Sequence, residues 1–212
     1  MEKIKRYLIL LFGLFVSAVG VVMVTKGNLG TSCISSVPYV LSLVLPMSMG
    51  VFTILFSLLL IVAQLFILGR DFKLEHALQI PVSILFGWFI DLVMPIFAFL
   101  SPQSYVEKLL LVLLGCVVIG ISVYLQVIAD VVMLPGESFV RSVVKRWHTE
   151  FGTTKIVFDV TISVLAALIS VICTGELMGV REGTVIASIL VGYIARWLKN
   201  MTSTWTDSLF KS

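Results

Sequence analysis

A few polar side chains stand where the surrounding sequence is apolar, and the chemistry this chain can do rests on them. Asp91 lies between Ile90 and Leu92 in the run Gln79 to Leu100. A charge at the centre of a bilayer costs roughly 3 to 17 kcal/mol, depending on how far water follows it. Asp91 therefore implies a proton or cation site, or a protonated acid hydrogen-bonded between helices. Lys155 and Asp159 are spaced to meet across one helical turn, as a gate that a solute or proton could open or as a plain intrahelical bridge. Glu137 follows Pro135-Gly136, where a carboxylate can cap free amides or coordinate a cation. Arg181 and Glu182 precede Gly183-Thr184 at a helix start, and an arginine beside free amides suits an anionic group. The stretch Gly27 to Pro38 adds Asn28, Gly30, Thr31, Ser32, Ser35 and Ser36 immediately after a long apolar run. Backbone breaks at membrane depth are tolerated only where protein or a water-filled cavity satisfies them.

The expected solute-binding set is thus Asn28, Gly30, Thr31, Ser32, Ser35, Ser36, Gly136, Glu137, Arg181, Glu182 and Thr184. The expected coupling or gating set is Asp91, Lys155 and Asp159. Serine and threonine also simply pack helices closely in membranes, and that bland reading stands beside the binding one.

The elements that must position these residues are membrane helices. Hydrophobic residues make up 59% of the 212, charged residues 13%, and mean hydropathy is +1.11, far from a soluble balance. The apolar runs predict six spans at about Tyr7 to Thr25, Val51 to Leu68, Gln79 to Leu100, Leu109 to Ala129, Lys155 to Cys173 and Gly183 to Leu198. The first run is longer than a signal-peptide core and more membrane sequence follows it, so it reads as a helix. Ile34 to Pro46 is too short to span and suits a re-entrant or interfacial segment. Glu137 to Trp147 carries Phe139, Val140, Val143, Val144 and Trp147 on one face and Arg141 and Lys145 on the other, the pattern of a helix lying on the membrane surface.

Six spans place Lys3, Lys5, Arg6, Arg70, Lys73, Arg141, Lys145, Arg146, Lys155, Arg196, Lys199 and Lys211 on one side, and Lys26, Lys108 and Arg181 on the other. By the positive-inside rule both termini are then cytoplasmic. The tail from Asn200 to Ser212 reads as an interfacial or frayed end.

The halves of the chain resemble each other. Gly50, Ile54, Phe56 and Ser57 match Gly152, Ile156, Phe158 and Asp159 at an offset of 102, and Ser83 to Gly87 matches Ser188 to Gly192 at 105. Leu29 to Ser32 corresponds to Leu134 to Glu137. Three spans per half is an odd number, so the second half enters from the opposite side. The expected fold is all-α: one integral domain over 1–212, built of two inverted-topology three-helix repeats (about 7–100 and 109–198), each with a short re-entrant or interfacial helix.

Cys33, Cys116 and Cys173 have no paired spacing, and His76 and His148 stand apart, so neither disulfide, metal nor cofactor is expected. No phosphate-binding glycine loop, His-Glu-x-x-His or nucleophile elbow is present, which makes an enzyme the weakest class. The charge of +3 gives no reason to expect a nucleic-acid partner. The expected partners are the lipid bilayer and a small solute, and a chain of 23.4 kDa leaves room for a homodimer.

Gly30-Thr31-Ser32-x-Ile34-Ser35-Ser36-Val37-Pro38-Tyr39, Pro135-Gly136-Glu137, Phe151-Gly152-x-x-Lys155-x-x-x-Asp159 and Arg181-Glu182-Gly183-Thr184 together resemble the YczE/YyaS/YitT group of bacterial inner-membrane proteins, above all its YczE branch. Where that group carries proline between Ser32 and Ile34, this chain has Cys33. The resemblance implies a six-span bacterial membrane protein suspected of transport, with no established substrate and no catalytic residues. The function expected is transport of a small polar or anionic solute, proton- or cation-coupled, bound between the two helix breaks. A passive channel and a non-transporting accessory protein working through the basic Arg141 to His148 face are the alternatives.

Overall fold

The computed structural model describes residues 2–72 and 74–209. Those residues form helices and contain no strand: α1 Glu2–Lys26, α2 Cys33–Val44, α3 Met49–Leu68, a 3-10 turn Gly69–Asp71, α4 Leu74–Ala77, α5 Gln79–Ile96, α6 Tyr105–Ala129, α7 Pro135–Trp147, α8 Phe151–Thr174 and α9 Glu182–Leu209. Among them α1, α3, α5, α6 and α8 are long and apolar enough to cross a membrane, so the chain has the build of a multi-pass membrane protein. The sixth expected span, Gly183 to Leu198, lies inside α9, which is not among those five. Of the cations weighed above, Lys73 and Lys211 lie outside the described residues, as do positions 210–212 of the tail.

Glycines set the closest helix contacts. A Cβ on Gly20 would stand 2.9 Å from the backbone nitrogen of Ile119, and one on Gly115 would stand 3.0 Å from the carbonyl of Gly20. Small residues let membrane helices approach backbone to backbone, and α1 and α6 do so along their length. Flanked by α5 and α9, this pair holds one apolar cluster around Leu14, Val22, Ile90, Val112 and Cys116. A second cluster joins α2, α3, α7 and α8 through Val37, Val40, Leu60, Val140, Phe158 and Ile162.

The short helices sit crosswise. α2 packs chiefly on α8, and α7 packs chiefly on α3, so each lies against a long helix from the other half of the chain.

Helix ends differ from the hydropathy reading for local reasons. α6 starts at Tyr105, ahead of the expected Leu109, because Ser104 and Glu107 form a capping box. α8 starts at Phe151, ahead of Lys155, because the Glu150 carboxylate accepts from Gly152 N at 2.9 Å and Thr153 N at 2.6 Å. α5 ends at Ile96 and does not run on to Leu100. Ala98 N turns back to the carbonyl of Pro95 at 3.0 Å.

The helix expected at Glu137 to Trp147 forms, but the face it packs is not the apolar one expected. Pro135, Gly136, Ser138, Val140 and Ser142 are buried, while Arg141, Lys145, Arg146 and Trp147 are exposed. The buried line of small residues seats the first turns of α7 in the protein, and only its basic end emerges, where Lys145 meets Asp71 at 3.0 Å.

Candidate functional site

The two breaks meet. A cavity of about 60 Å³ is lined by Ile34, Ser35 and Pro38 of α2, by Thr53, Phe56, Ser57 and Leu60 of α3, by Phe86 of α5, and by Leu134 to Glu137 where α7 begins. A Cβ on Gly136 would lie 2.7 Å from the Ile34 side chain, so glycine there permits the two helix starts to touch. Free amides and the positive end of the helix dipole belong to each start, and residues of both starts line this space. Pro38 has no N–H to give the carbonyl of Ile34 one turn back, which leaves an acceptor on the same wall. Most of the lining is apolar. Its polar groups are the hydroxyls of Ser35, Thr53 and Ser57 and the half-buried carboxylate of Glu137, which makes no hydrogen bond among the described residues.

Two anchors hold these helix starts. On the α7 side, the Gln64 amide nitrogen donates to Gln79 Oε1 and to the carbonyl of Pro135, both at 3.2 Å. Gln79 donates back to Gln64 and to Ser138 Oγ at 2.8 Å, and Ser138 donates to Gln64 Oε1 at 2.9 Å. All three side chains are buried, so the clasp closes on itself without water. On the α2 side, Thr31 N donates to the carbonyl of Gly179 and to Thr184 Oγ1, each at 3.2 Å, and Gly183 N donates to the carbonyl of Leu29 at 2.7 Å. Gly30 takes φ 110°, a left-handed value that a side chain adopts only under strain, and a Cβ there would run into Thr184.

The expected site residues therefore divide. Ser35, Gly136 and Glu137 line the cavity. Ser32 adjoins them by donating to Ser35 Oγ at 2.9 Å, and Ser36 is buried with its hydroxyl on the carbonyl of Cys33. Gly30, Thr31 and Thr184 form the anchor and face no open space. Asn28 is exposed with φ 53°, and Arg181 and Glu182 form a solvated pair at 3.4 Å, so the anion site expected of Arg181 is away from the cavity.

Lys155 and Asp159 form the expected salt bridge on α8, with side chains 26% and 16% exposed. Both lie close enough to Glu137 and Cys33 to act on them electrostatically, as does Arg141 on Glu137. The pair and Glu137 thus form one cluster of ionisable side chains at the seam of α2, α7 and α8, where burial pushes the Glu137 carboxyl up. Asp91 is elsewhere and shallower than expected, because α5 stops at Ile96. It accepts from Ser48 Oγ at 2.6 Å and Gly50 N at 2.8 Å, capping the first turn of α3.

Sequence reasoning missed Gln64, Gln79, Thr53 and Ser57. The available signal was two glutamines inside apolar runs, since a side-chain amide at that depth needs a partner.

A family model described as "Family of unknown function (DUF6198)" matches residues 4–200. Neither a curated protein nor a solved structure matches the chain.

Proposed function

We propose, for a chain that belongs to the DUF6198 family of unknown function, that it is a secondary transporter of a small polar or anionic solute, driven by protons or cations. The observation that carries this reading is the cavity on which the starts of α2 and α7 converge. Opposed broken helices at the meeting of two inverted repeats are how many transporters build a midplane site. The crosswise seating of α2 on α8 and of α7 on α3 supports a six-span inverted repeat. So do the paired anchors, in which the first turn of α9 holds the approach to α2 and the first turn of α5 holds α7. Cytoplasmic termini in a bacterial inner membrane, and kinship with the YczE/YyaS/YitT group, belong to the same reading.

The helix starts supply amide donors for the solute, and Glu137 supplies the proton or cation partner. Lys155 stands by to neutralise Glu137 when Asp159 lets it go. A space of about 60 Å³ holds a few waters at most, which makes this an occluded form of the site.

Proteoliposomes loaded with a pH-sensitive dye test this against a panel of small anions, amino acids and amides. One class in the panel should drive saturable proton entry, and Glu137→Gln should cut that entry at least about tenfold, the scale of one lost charge interaction. Flux that never saturates would make the protein a channel. Folded protein that moves no member of the panel would overturn the transport reading in favour of an accessory role.

A further inference from the structure

The two halves share a sequence pattern without sharing a conformation. In the first half α3 and α5 lie backbone to backbone: a Cβ on Gly87 would sit 2.6 Å from the carbonyl of Gly50 and 2.5 Å from Ile54. One turn further along α5, Asp91 bonds to Ser48 and to the amide of Gly50. The repeat offsets carry Ser48, Gly50 and Ile54 to Glu150, which caps α8, and to Gly152 and Ile156 on it, and Gly87 and Asp91 to Gly192 and Arg196 on α9.

None of those partners meets across the helices. A Cβ on Gly192 would find open space, and one on the exposed Gly152 would meet the carboxylate of Glu150 first. Ile156 is exposed, and α8 and α9 have no contact comparable to that of α3 with α5. Glu150 caps α8 as Ser48 caps α3, with Val51 N on Ser48 Oγ at 3.2 Å. Arg196 is exposed and makes no hydrogen bond or ion pair among the described residues. Where the first half has a hydroxyl facing an acid, the second has an acid and an arginine held apart.

We propose that Glu150 and Arg196 are the latch of the second half, joining when α8 closes on α9 in the opposite-facing state while Asp91 releases Ser48 and α3 parts from α5. This rests on the transport reading, in which inverted repeats exchange conformations to turn the site from one face to the other. It also gives Lys155 and Asp159 a place in the cycle. Gly152, Ile156 and Asp159 share one helical face, so α9 closing on α8 covers the part of the charged pair that is still exposed.

The measurement is a pair of spin-label distances in nanodiscs, on a background of Cys33→Ser, Cys116→Ala and Cys173→Ser. Leu55→Cys with Trp88→Cys reports the first half and Val157→Cys with Tyr193→Cys the second, all four being exposed repeat equivalents at 48%, 56%, 60% and 69%. Each pair should show a short and a long population in opposite proportion. Asp91→Ala, which loosens the first latch, should raise the short population of the second pair about threefold, a shift of under 1 kcal/mol in the balance. Arg196→Glu should abolish that short population, and Glu150→Arg added to it should restore it. A single long distance across α8 and α9 in every variant, or a short population indifferent to Arg196→Glu, overturns the latch. No solute enters this measurement, so a latch that fails leaves the proteoliposome result to stand or fall alone.

Discussion

The contact of α3 with α5 and the separation of α8 from α9 start from glycines at matching offsets. Gly50 and Gly87 are pressed against each other's backbone, whereas Gly192 faces open space and the atoms nearest a Cβ on Gly152 are those of Glu150. A glycine in a membrane helix is thus permission for close approach and not evidence that the approach has happened. The first half reads as a finished interface. Its counterpart carries glycines at the matching offsets and charged residues at its rim, but α9 is not packed on α8 there.

Substitution at the glycines gives the sharpest way to break this comparison. Gly50→Leu or Gly87→Leu should force the α3–α5 contact apart at a cost of about 1 to 3 kcal/mol or more. Gly192→Leu should stay within about 0.5 kcal/mol, as a surface change. Thermal unfolding in detergent reads both. Equal losses at Gly87 and Gly192 would mean that the second half is closed like the first.

The anchors differ in a second way. Gln64→Leu leaves Gln79, Ser138 and the carbonyl of Pro135 short of partners in a buried place, at about 1 to 3 kcal/mol. Thr184→Val removes one acceptor from Thr31 N, which keeps the carbonyl of Gly179, and should cost about 1 kcal/mol or less. The double change Gln64→Leu with Gln79→Leu should recover part of the single loss, because the buried amide and its partner leave together.

The smallest effect concerns the start of α8. Hydrogen bonds from Thr153 and the amide of Gly152 hold the fully exposed Glu150 carboxyl below the usual carboxylate range. Its folded value lies below its unfolded one, so its contribution is complete at neutral pH and is lost as pH falls through the folded value. Wild type should lose slightly more stability than Glu150→Gln across that acid window, and an identical pH profile for the two would remove the cap from the account.

Much of this was readable in the residues alone. Apolar runs marked the long helices, and the stretch Gly27 to Pro38 and Pro135-Gly136 marked two breaks, of which Ile34, Ser35, Pro38 and Leu134 to Glu137 line one cavity. The depth of Asp91 was not legible, since hydropathy continues through Phe97 and Leu100 after the helix has stopped at Pro95-Ile96. The burial of α7 was hidden because its basic end dominates its composition, while Gly136, Ser138 and Ser142 make the face that is packed. Nor could the unlike states of the two halves be read, because repeated glycines state what geometry is allowed and say nothing of which state is occupied.

The crosswise seating of the short helices has a consequence for synthesis. α2 leaves the ribosome early, yet the helix it rests on, α8, begins more than a hundred residues later in the chain. Domains assemble in the order they are made. Until α8 arrives, α2 has a polar, proline-broken helix start and only α3 to rest on, without its main seat, whereas α7 emerges to find α3 and α5 already in place. A nascent chain halted after α6 should therefore leave Cys33 open to a water-soluble thiol reagent, and the completed protein should shield it.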